Sequence, residues 1–509
     1  MLLPTEANKN SMNAMDEALP TKISTGEGSS KSPPDLEQSN AVTFLSPELE
    51  RRIRLKTDLV VLPLIVLIST LAFLDKNGMA YAAVYGMKTD THLVGQQYSW
   101  LGSIFYFGYL TMEFPTAWIL TKVPLGKFLG VFVFFWGGIL CCMAACHNFA
   151  GLATVRFFLG IFEAPILPAL MIMNSMWYRR KEQPLRTALW YNTFAGIFGG
   201  ILSYAIGHIG GGLATWKYIF LIYGSVTMGV GIAVFFLLPD SPSTAWFFTA
   251  EEREGAILRL AENQTGVQSH KKWETYQVME ALKDPKYWCV AVFVIAQSIT
   301  NAGVTNFNPL IISGYGFSQT KTTLMATPQA AVALVAQVAC TLLVFHIPNI
   351  RCLLWVLSTI PALVGAIMIH VLNISLHRGA SLAGVYLMGF YNTSWVLMLS
   401  LQSSNTGGMT KKSFVSVSIA IFYAVGNIIG PQFFINSEAP YYHTGISTML
   451  GCFAIMGATG IVYAVIVLTL NKKRDREYGV PLEDAVVIGL ESEEKNLTDM
   501  ENVKFRYVY

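Results

Sequence analysis

Apolar residues in this chain gather in runs long enough to cross the roughly 30 Å hydrocarbon layer of a bilayer as helices. After a first stretch rich in Ser, Pro, Glu and Lys, the runs lie near 58–86, 97–121, 128–147, 150–177, 186–207 and 216–239. A polar stretch follows, and they resume near 286–312, 319–346, 352–372, 380–405, 413–435 and 446–471. The pattern predicts an all-α membrane protein with twelve transmembrane helices in two six-helix bundles. Between the two sets, Thr249-Ala-Glu-Glu-Arg-Glu-Gly-Ala-Ile-Leu-Arg-Leu260 opens with a capping residue and an acid three positions on, then takes helical spacing. That predicts a short amphipathic helix in the linker.

Basic residues orient the bundle. The loops expected inside hold Lys122, Lys127, Arg179, Arg180, Lys181, Arg186, Arg351, Lys411 and Lys412, and basic residues also flank the first and last runs. The opposite loops offer Lys88, Lys217, Lys321 and Arg378. This asymmetry puts both termini in the cytoplasm. The expected organisation is a disordered tail over 1–56, a bundle over 57–240, a cytoplasmic loop over 241–285, a bundle over 286–471 and a tail over 472–509. The first run starts too late to be a signal peptide. Asn263 is a sequon on the inner side, where it would stay unmodified, whereas Asn373 faces out and its glycosylation is open.

Composition narrows the class. Charged residues are 13% of the 509 and hydrophobic ones 53%, where a globular protein has about 25% charged residues. So few charges cannot cover a soluble surface of this size, which excludes a cytosolic enzyme, a disordered scaffold and a secreted disulfide domain. A net charge of +3 is too small to imply a nucleic-acid partner. All seven cysteines fall in apolar stretches, with neither a disulfide framework nor a zinc spacing. No His-Glu-x-x-His and no Walker-type glycine loop occurs. Hence neither an enzyme nor an ATP-driven pump is expected, and no metal or cofactor.

Ionisable groups at bilayer depth cost a few kcal/mol even on lenient scales, which makes them functional candidates. Asp75 and Lys76 interrupt the first run, and Arg156 and Glu163 lie in the fourth. Seven residues are close to two helical turns, so Arg156 and Glu163 share a face, with Gly160 leaving room between them. A carboxyl held away from water can take up a proton in the physiological range, and a cation shared between it and a bound anion couples the two. The other reading is a structural Arg156–Glu163 pair that staples helices, with Asp75–Lys76 as a mutually neutralised pair. Glu113, His208 and His370 are expected to be structural or hydrated, and the aromatics mostly lipid-facing.

The second half carries polar groups instead: Asn301, Thr305, Asn306 and Asn308, then Tyr391 and Asn392, then Asn427 and Gln432. Such groups orient a substrate, or serve as glue between helices. A weak internal echo, Gly196-Ile-Phe-Gly-Gly200 against Gly426-Asn-Ile-Ile-Gly430, marks matching close-approach positions in the two halves, either on a substrate path or as common membrane packing.

Several of these pieces resemble one family. They are Leu74-Asp-Lys-Asn77, Met112-Glu-Phe-Pro115, Arg156-Phe-Phe-Leu-Gly-Ile-Phe-Glu-Ala164 and Pro239-Asp-Ser-Pro242 in the first half. The second half adds Lys283-Asp-Pro285, Asn301-Ala-Gly-Val-Thr-Asn-Phe307, Gly389-Phe-Tyr-Asn392, Ser404-Asn-Thr406, Thr410-Lys-Lys412 and Gly426-Asn-Ile-Ile-Gly-Pro-Gln-Phe433. Together they resemble the major facilitator superfamily, and within it the fungal allantoate-permease family of anion–cation symporters. The resemblance implies proton coupling at Asp75 and Glu163, a substrate carboxylate at Lys76, and Arg156 organising the set. Two departures stand out: relatives usually have arginine where this chain has Lys76, which loses the bidentate fork, and Val123 stands where the superfamily's loop acid would be.

The reading that follows is a proton-coupled uptake carrier for a small organic anion, working by alternating access. Asp75 and Glu163 would carry protons. Lys76, Arg156, Asn301, Asn306, Tyr391, Asn392 and Asn427 would meet the substrate. Its partners are the anion, protons and the lipid bilayer; it is expected to work as a monomer, in the plasma membrane or an endomembrane. The same fold gives an exporter of a secondary metabolite, or a sensor that binds without transport.

Overall fold

The structure is a computed structural model and describes residues 46–509 apart from 121, 180–181, 191–193, 262–272, 373 and 480–495. Residues 1–45 of the tail expected over 1–56 lie outside the described residues, as do Asn263 and Asn373. The first helix, α1 (Pro47–Val84), begins earlier than the hydrophobic run does. Ser46 accepts the Leu49 N–H at 3.2 Å, Pro47 sits at the first helical position, and Glu48 and Glu50 occupy the first turn. Each of these favours a helix N-terminus. Residues 47–56, assigned to the tail from the sequence, are therefore the start of this helix.

The remaining helices follow the apolar runs. They are α2 (Gln97–Ile119), α3 (Leu125–Cys142), α4 (Phe149–Glu163), α5 (Ile166–Trp177), α6 (Gln183–Trp190), α7 (Phe194–Ile206) and α8 (Thr215–Leu237). The linker holds α9 (Ala250–Ala261) and α10 (Thr275–Lys283). Then come α11 (Pro285–Ser313), α12 (Gln319–His346), α13 (Arg351–Val371), α14 (Ile374–Leu387), α15 (Tyr391–Asn405), α16 (Met409–Ile429) and α17 (His443–Tyr478). Among the described residues ten helical segments are long and apolar enough to cross a membrane. α2 and the run near 186–207 are not among them. α2 has 23 residues but is interrupted by Ser99, Ser103, Thr111, Glu113 and Thr116, and the run near 186–207 includes residues 191–193, which lie outside the described residues.

The predicted linker helix is present, with its capping box closed. Glu252 accepts the Thr249 N–H at 2.9 Å, and Thr249 Oγ1 accepts the Glu252 N–H at 3.3 Å. Lys56 reaches Glu252 at 2.6 Å, Arg179 reaches Glu50 at 2.6 Å, and Arg259 pairs with Glu182. The first and last of these fasten the linker helix to α1 and to the start of α6, and the second ties α1 to the turn before α6.

The helices before and after the linker meet at the end of the bundle away from it. There the Tyr98 hydroxyl donates to the Asn306 carbonyl (2.8 Å), Ser103 donates to the Ile428 carbonyl (2.6 Å), and Gln432 donates to Ser103 (2.9 Å). Gln96 and Lys88 add contacts to Gln432 and Asn436. This explains part of the polar character of α2: Ser99 and Ser103 bond across the seam, whereas Thr111 and Thr116 donate back to the Phe107 and Met112 carbonyls of their own helix. The glycine echo belongs to packing. A Cβ on Gly200 would stand 2.7 Å from the Thr323 carbonyl, and one on Gly426 would stand 2.5 Å from Ser298 Cβ, so both positions buy close helix approach.

Candidate functional site

The four intramembrane charges come together, but with different partners from the pairings their sequence positions suggest. Lys76 Nζ lies 3.0 Å from Glu163 Oε1, and Asp75 Oδ2 accepts the indole N–H of Trp136 at 2.7 Å. Helix geometry explains the exchange. Neighbours in a helix point about 100° apart, so Asp75 and Lys76 cannot face one another. Residues seven apart share a face but stand about 10 Å apart along the axis, which leaves Arg156 to other partners. Its Nε donates to the Leu101 carbonyl (3.3 Å), and its guanidinium lies 5.1 Å from the centre of the Phe105 ring. The room expected at Gly160 is taken by α2, because a Cβ there would run into the Phe105 carbonyl.

Burial separates the four. Asp75, Glu163 and Arg156 are 1%, 3% and 4% exposed, while the Lys76 side chain keeps 31%. Asp75 Oδ1 and Glu163 Oε2 are buried with no hydrogen-bond partner among the described residues. A buried charge normally has its lone pairs filled, so two vacant carboxylate oxygens are where a proton or a ligand donor fits. Glu163 ends α4 directly before Ala164-Pro165, where proline removes a backbone donor and splits the fourth run into α4 and α5. Irregular backbone at this depth is tolerated where it lines an interior path.

Across from these charges, part of the predicted polar set forms one network. The Tyr391 hydroxyl donates to Asn301 Oδ1 (3.1 Å), and Asn301 Nδ2 donates to Asn427 Oδ1 (3.1 Å) and to the Tyr423 hydroxyl (3.3 Å). Tyr391 follows a second irregularity, the 3₁₀ turn Met388–Phe390. Asn306 is elsewhere, in the seam beside Gly102 with its amide bonded to the Ala302 carbonyl. Asn392 is half-buried one position on from Tyr391 and takes no part in the network. The rings of Tyr106 and Tyr423, 6.0 Å apart, join the charged side to the polar side.

Sequence reasoning missed Trp136, Tyr106 and Tyr423, having assigned the aromatics to lipid. Tyr423 carried a signal, since it stands one turn before Asn427 on the same face and its carbonyl accepts that amide at 2.8 Å. Trp136, fully buried, carried none, because an indole's partner is set by tertiary packing. At the linker end, Asp240 Oδ1 accepts the Lys127 N–H at 3.0 Å, so Pro239-Asp-Ser-Pro242 supplies a carboxylate at the start of α3. His208 and His370 are exposed, as expected.

With the helices and the buried charges in place, the class is that of an integral, multi-pass membrane transporter. The chain belongs to the major facilitator superfamily, whose model matches residues 65–431, and within it to the fungal transporters of the allantoate-permease type. It is 38% identical over 462 residues to an uncharacterized transporter of Schizosaccharomyces pombe, covering 90% of this chain and 87% of that one. It is 32% identical over 481 residues to the allantoate permease of Saccharomyces cerevisiae, covering 91% and 87%. Among solved structures, the fold matches a bacterial homolog of the human lysosomal transporter Spinster in an inward-facing, unoccupied conformation. There the TM-score is 0.61 and the identity 15%, with 83% of this chain and 97% of that one covered. Relatives of this kind are named transporters and permeases, and the protein is not an enzyme.

Proposed function

We propose that the protein is a proton-coupled uptake carrier for a small organic anion. The observation that carries the reading is the Lys76–Glu163 contact at 3.0 Å, with Lys76 the one member of the set that keeps substantial exposure. A substrate carboxylate reaching Lys76 replaces Glu163 as its partner. Glu163, left buried with its Oε2 vacant, then needs a proton, because an unpaired buried carboxylate costs several kcal/mol. With Asp75, Lys76, Glu163 and Arg156 all ionised the set is neutral, and one proton on a carboxyl leaves the positive charge that an anion balances. The Asn301–Tyr391–Asn427 network holds the remainder of the substrate, with Asn306 and Asn392 outside this group.

In this reading twelve helices form two bundles, 57–240 and 286–471, joined by a cytoplasmic loop over 241–285, with both termini in the cytoplasm. Alternating access then parts the seam at Tyr98, Ser99 and Ser103 on the outer side. The carrier works as a monomer and needs no cofactor. The relative's name makes allantoate the first substrate to try, beside other ureido acids, nicotinate-like acids, pantothenate and dipeptides.

The test is uptake of that labelled panel into proteoliposomes, with and without an inward proton gradient, in the wild type and in Glu163→Gln. Gradient-driven accumulation of one anion, reduced to exchange in Glu163→Gln, is the expected result. Accumulation indifferent to both the gradient and Glu163 would leave a facilitator. Release from preloaded vesicles without uptake would make it an exporter.

A further inference from the structure

Three of the family-like pieces have no place in the central site: Lys283-Asp-Pro285, Ser404-Asn-Thr406 and Thr410-Lys-Lys412. All three converge at the linker end of the second half, and what they hold is residues 496–509 of the same chain. Asp499 is the hub, with a side chain fully buried. Its Oδ1 accepts from Lys411 Nζ (2.7 Å) and the Gly407 N–H (3.1 Å), and its Oδ2 accepts from Lys286 Nζ (2.7 Å) and the Tyr507 hydroxyl (2.9 Å). Asp284 and Glu280 complete the shell of Lys411 at 3.2 and 2.9 Å. A carboxylate taken from water this completely is tolerated only where its lone pairs are filled, and here they are.

The rest of the segment is held by its backbone. Asn405 donates to the Val508 carbonyl and accepts the Val508 N–H, both at 2.8 Å. Asn471 does the same for Tyr507, at 2.8 and 2.9 Å. Two side-chain amides thus pair with consecutive residues as a neighbouring strand would. Arg474 donates to the carbonyls of Phe505 and Asp499, each at 2.7 Å, and lies over the Tyr507 ring. Thr498 and Glu501 form a capping box, and Gln277 in the linker helix α10 donates to the Asn496 carbonyl at 3.1 Å.

We propose that these motifs build a receptor slot for a peptide segment that presents a buried aspartate and an aromatic side chain, occupied here by residues 496–509 with Asp499 and Tyr507. The docked segment straps the linker ends of α11, α15, α16 and α17 together with α10. α11, the consecutive pair α15 and α16, and α17 come from three separate stretches of the sequence, and the strap makes their ends one rigid piece. Its loss lowers the rate at which the second half moves while leaving the central site intact. This holds whatever the carrier's substrate is.

The experiment is hydrogen–deuterium exchange on the full chain in nanodiscs, paired with uptake kinetics of an identified substrate. In the wild type the amides of Tyr507 and Val508 are expected to exchange at least a hundredfold more slowly than in the free peptide of residues 496–509. Asp499→Asn should raise exchange at least tenfold there and at Gly407 and Met409, with helices α1 to α8 unchanged. Adding the free peptide in excess should restore protection at Gly407 and Met409. Uptake by Asp499→Asn should lose maximal rate several-fold with KM within twofold of wild type. Tyr507→Phe, which removes one donor, should show the same pattern more weakly and serves if Asp499→Asn does not fold. Free-peptide exchange rates in the wild-type segment would overturn the proposal, as would a raised KM at unchanged maximal rate or no rescue by the peptide.

Discussion

Two of the buried charge clusters among the described residues, one at mid-helix depth around Lys76 and one at the linker end around Asp499, are satisfied to different degrees. Asp499 has four donors for its two oxygens. Asp75 and Glu163, equally buried, have one vacant oxygen each. Lys411 has three acidic partners, whereas Lys76 has one and stays partly exposed. Filled clusters specify structure, and half-filled ones carry an energetic demand that a ligand or proton can meet. The same residue types are therefore fully satisfied in one place and, in the proposed carrier, left to meet a ligand or a proton in the other.

The largest effect expected from disturbing this contrast is at Lys76. Lys76→Gln keeps a donor but removes the charge that pairs with Glu163 and that, in the proposed carrier, meets the substrate. Hydrogen bonds to charged groups contribute about 1.5–3 kcal/mol, so affinity for the anion should fall roughly 10- to 100-fold. Lys76→Arg restores the charge with a fork and should recover uptake to within a few-fold. Uptake kinetics of both variants check this, and full uptake by Lys76→Gln would remove Lys76 from the substrate's path.

A smaller effect is expected at Trp136, whose indole supplies the hydrogen bond to Asp75. Trp136→Phe keeps most of the ring volume and leaves both carboxyl oxygens unsatisfied. Losing that donor costs about 1–3 kcal/mol wherever Asp75 is ionised. Gradient-driven uptake should drop about tenfold, at ~1.4 kcal/mol per factor of ten, and its pH profile should be displaced. A profile identical to wild type would separate Asp75 from proton movement.

How much of this was legible in the sequence depends on which residues must meet. The helices were legible because each is a local apolar run, and Asp75, Lys76, Arg156 and Glu163 were legible because charge inside such a run is costly anywhere. Who pairs with whom was not: Trp136 reaches Asp75 across 61 residues, and Lys286 reaches Asp499 across 213. The serines of α2 have no account in the local pattern of that run; the seam they bond supplies one. The segment 496–509 reads as an ordinary polar tail, because its order comes from Asn405, Asn471 and Lys411 rather than from its own pattern. The motif resemblance pointed at those slot residues without saying what they hold.

The smallest effect is expected from pH at the strap, and its smallness is the point. Burial works against an ionised Asp499, but Lys286 and Lys411 overcome it and hold its carboxyl down at about 2. A free aspartate titrates near 3.9, so the stabilisation is fully present above that value and is lost only as pH falls through about 2. The groups facing Asp499 from the packed helices are Lys286, Lys411, Asp284, Glu280, Arg474 and Tyr463, with Tyr507 from the segment itself, and burial pushes the Tyr507 hydroxyl far up, away from neutrality. Between pH 5 and 8, a range of about 3 units well above that titration, protection of Tyr507 and Val508, corrected for intrinsic exchange, should therefore stay constant. Uptake over the same range should change with the proton gradient, since its carboxyls are the half-filled ones. Protection that falls in step with uptake would mean that the two clusters titrate together, and the strap would then belong to the coupling machinery instead of merely supporting it.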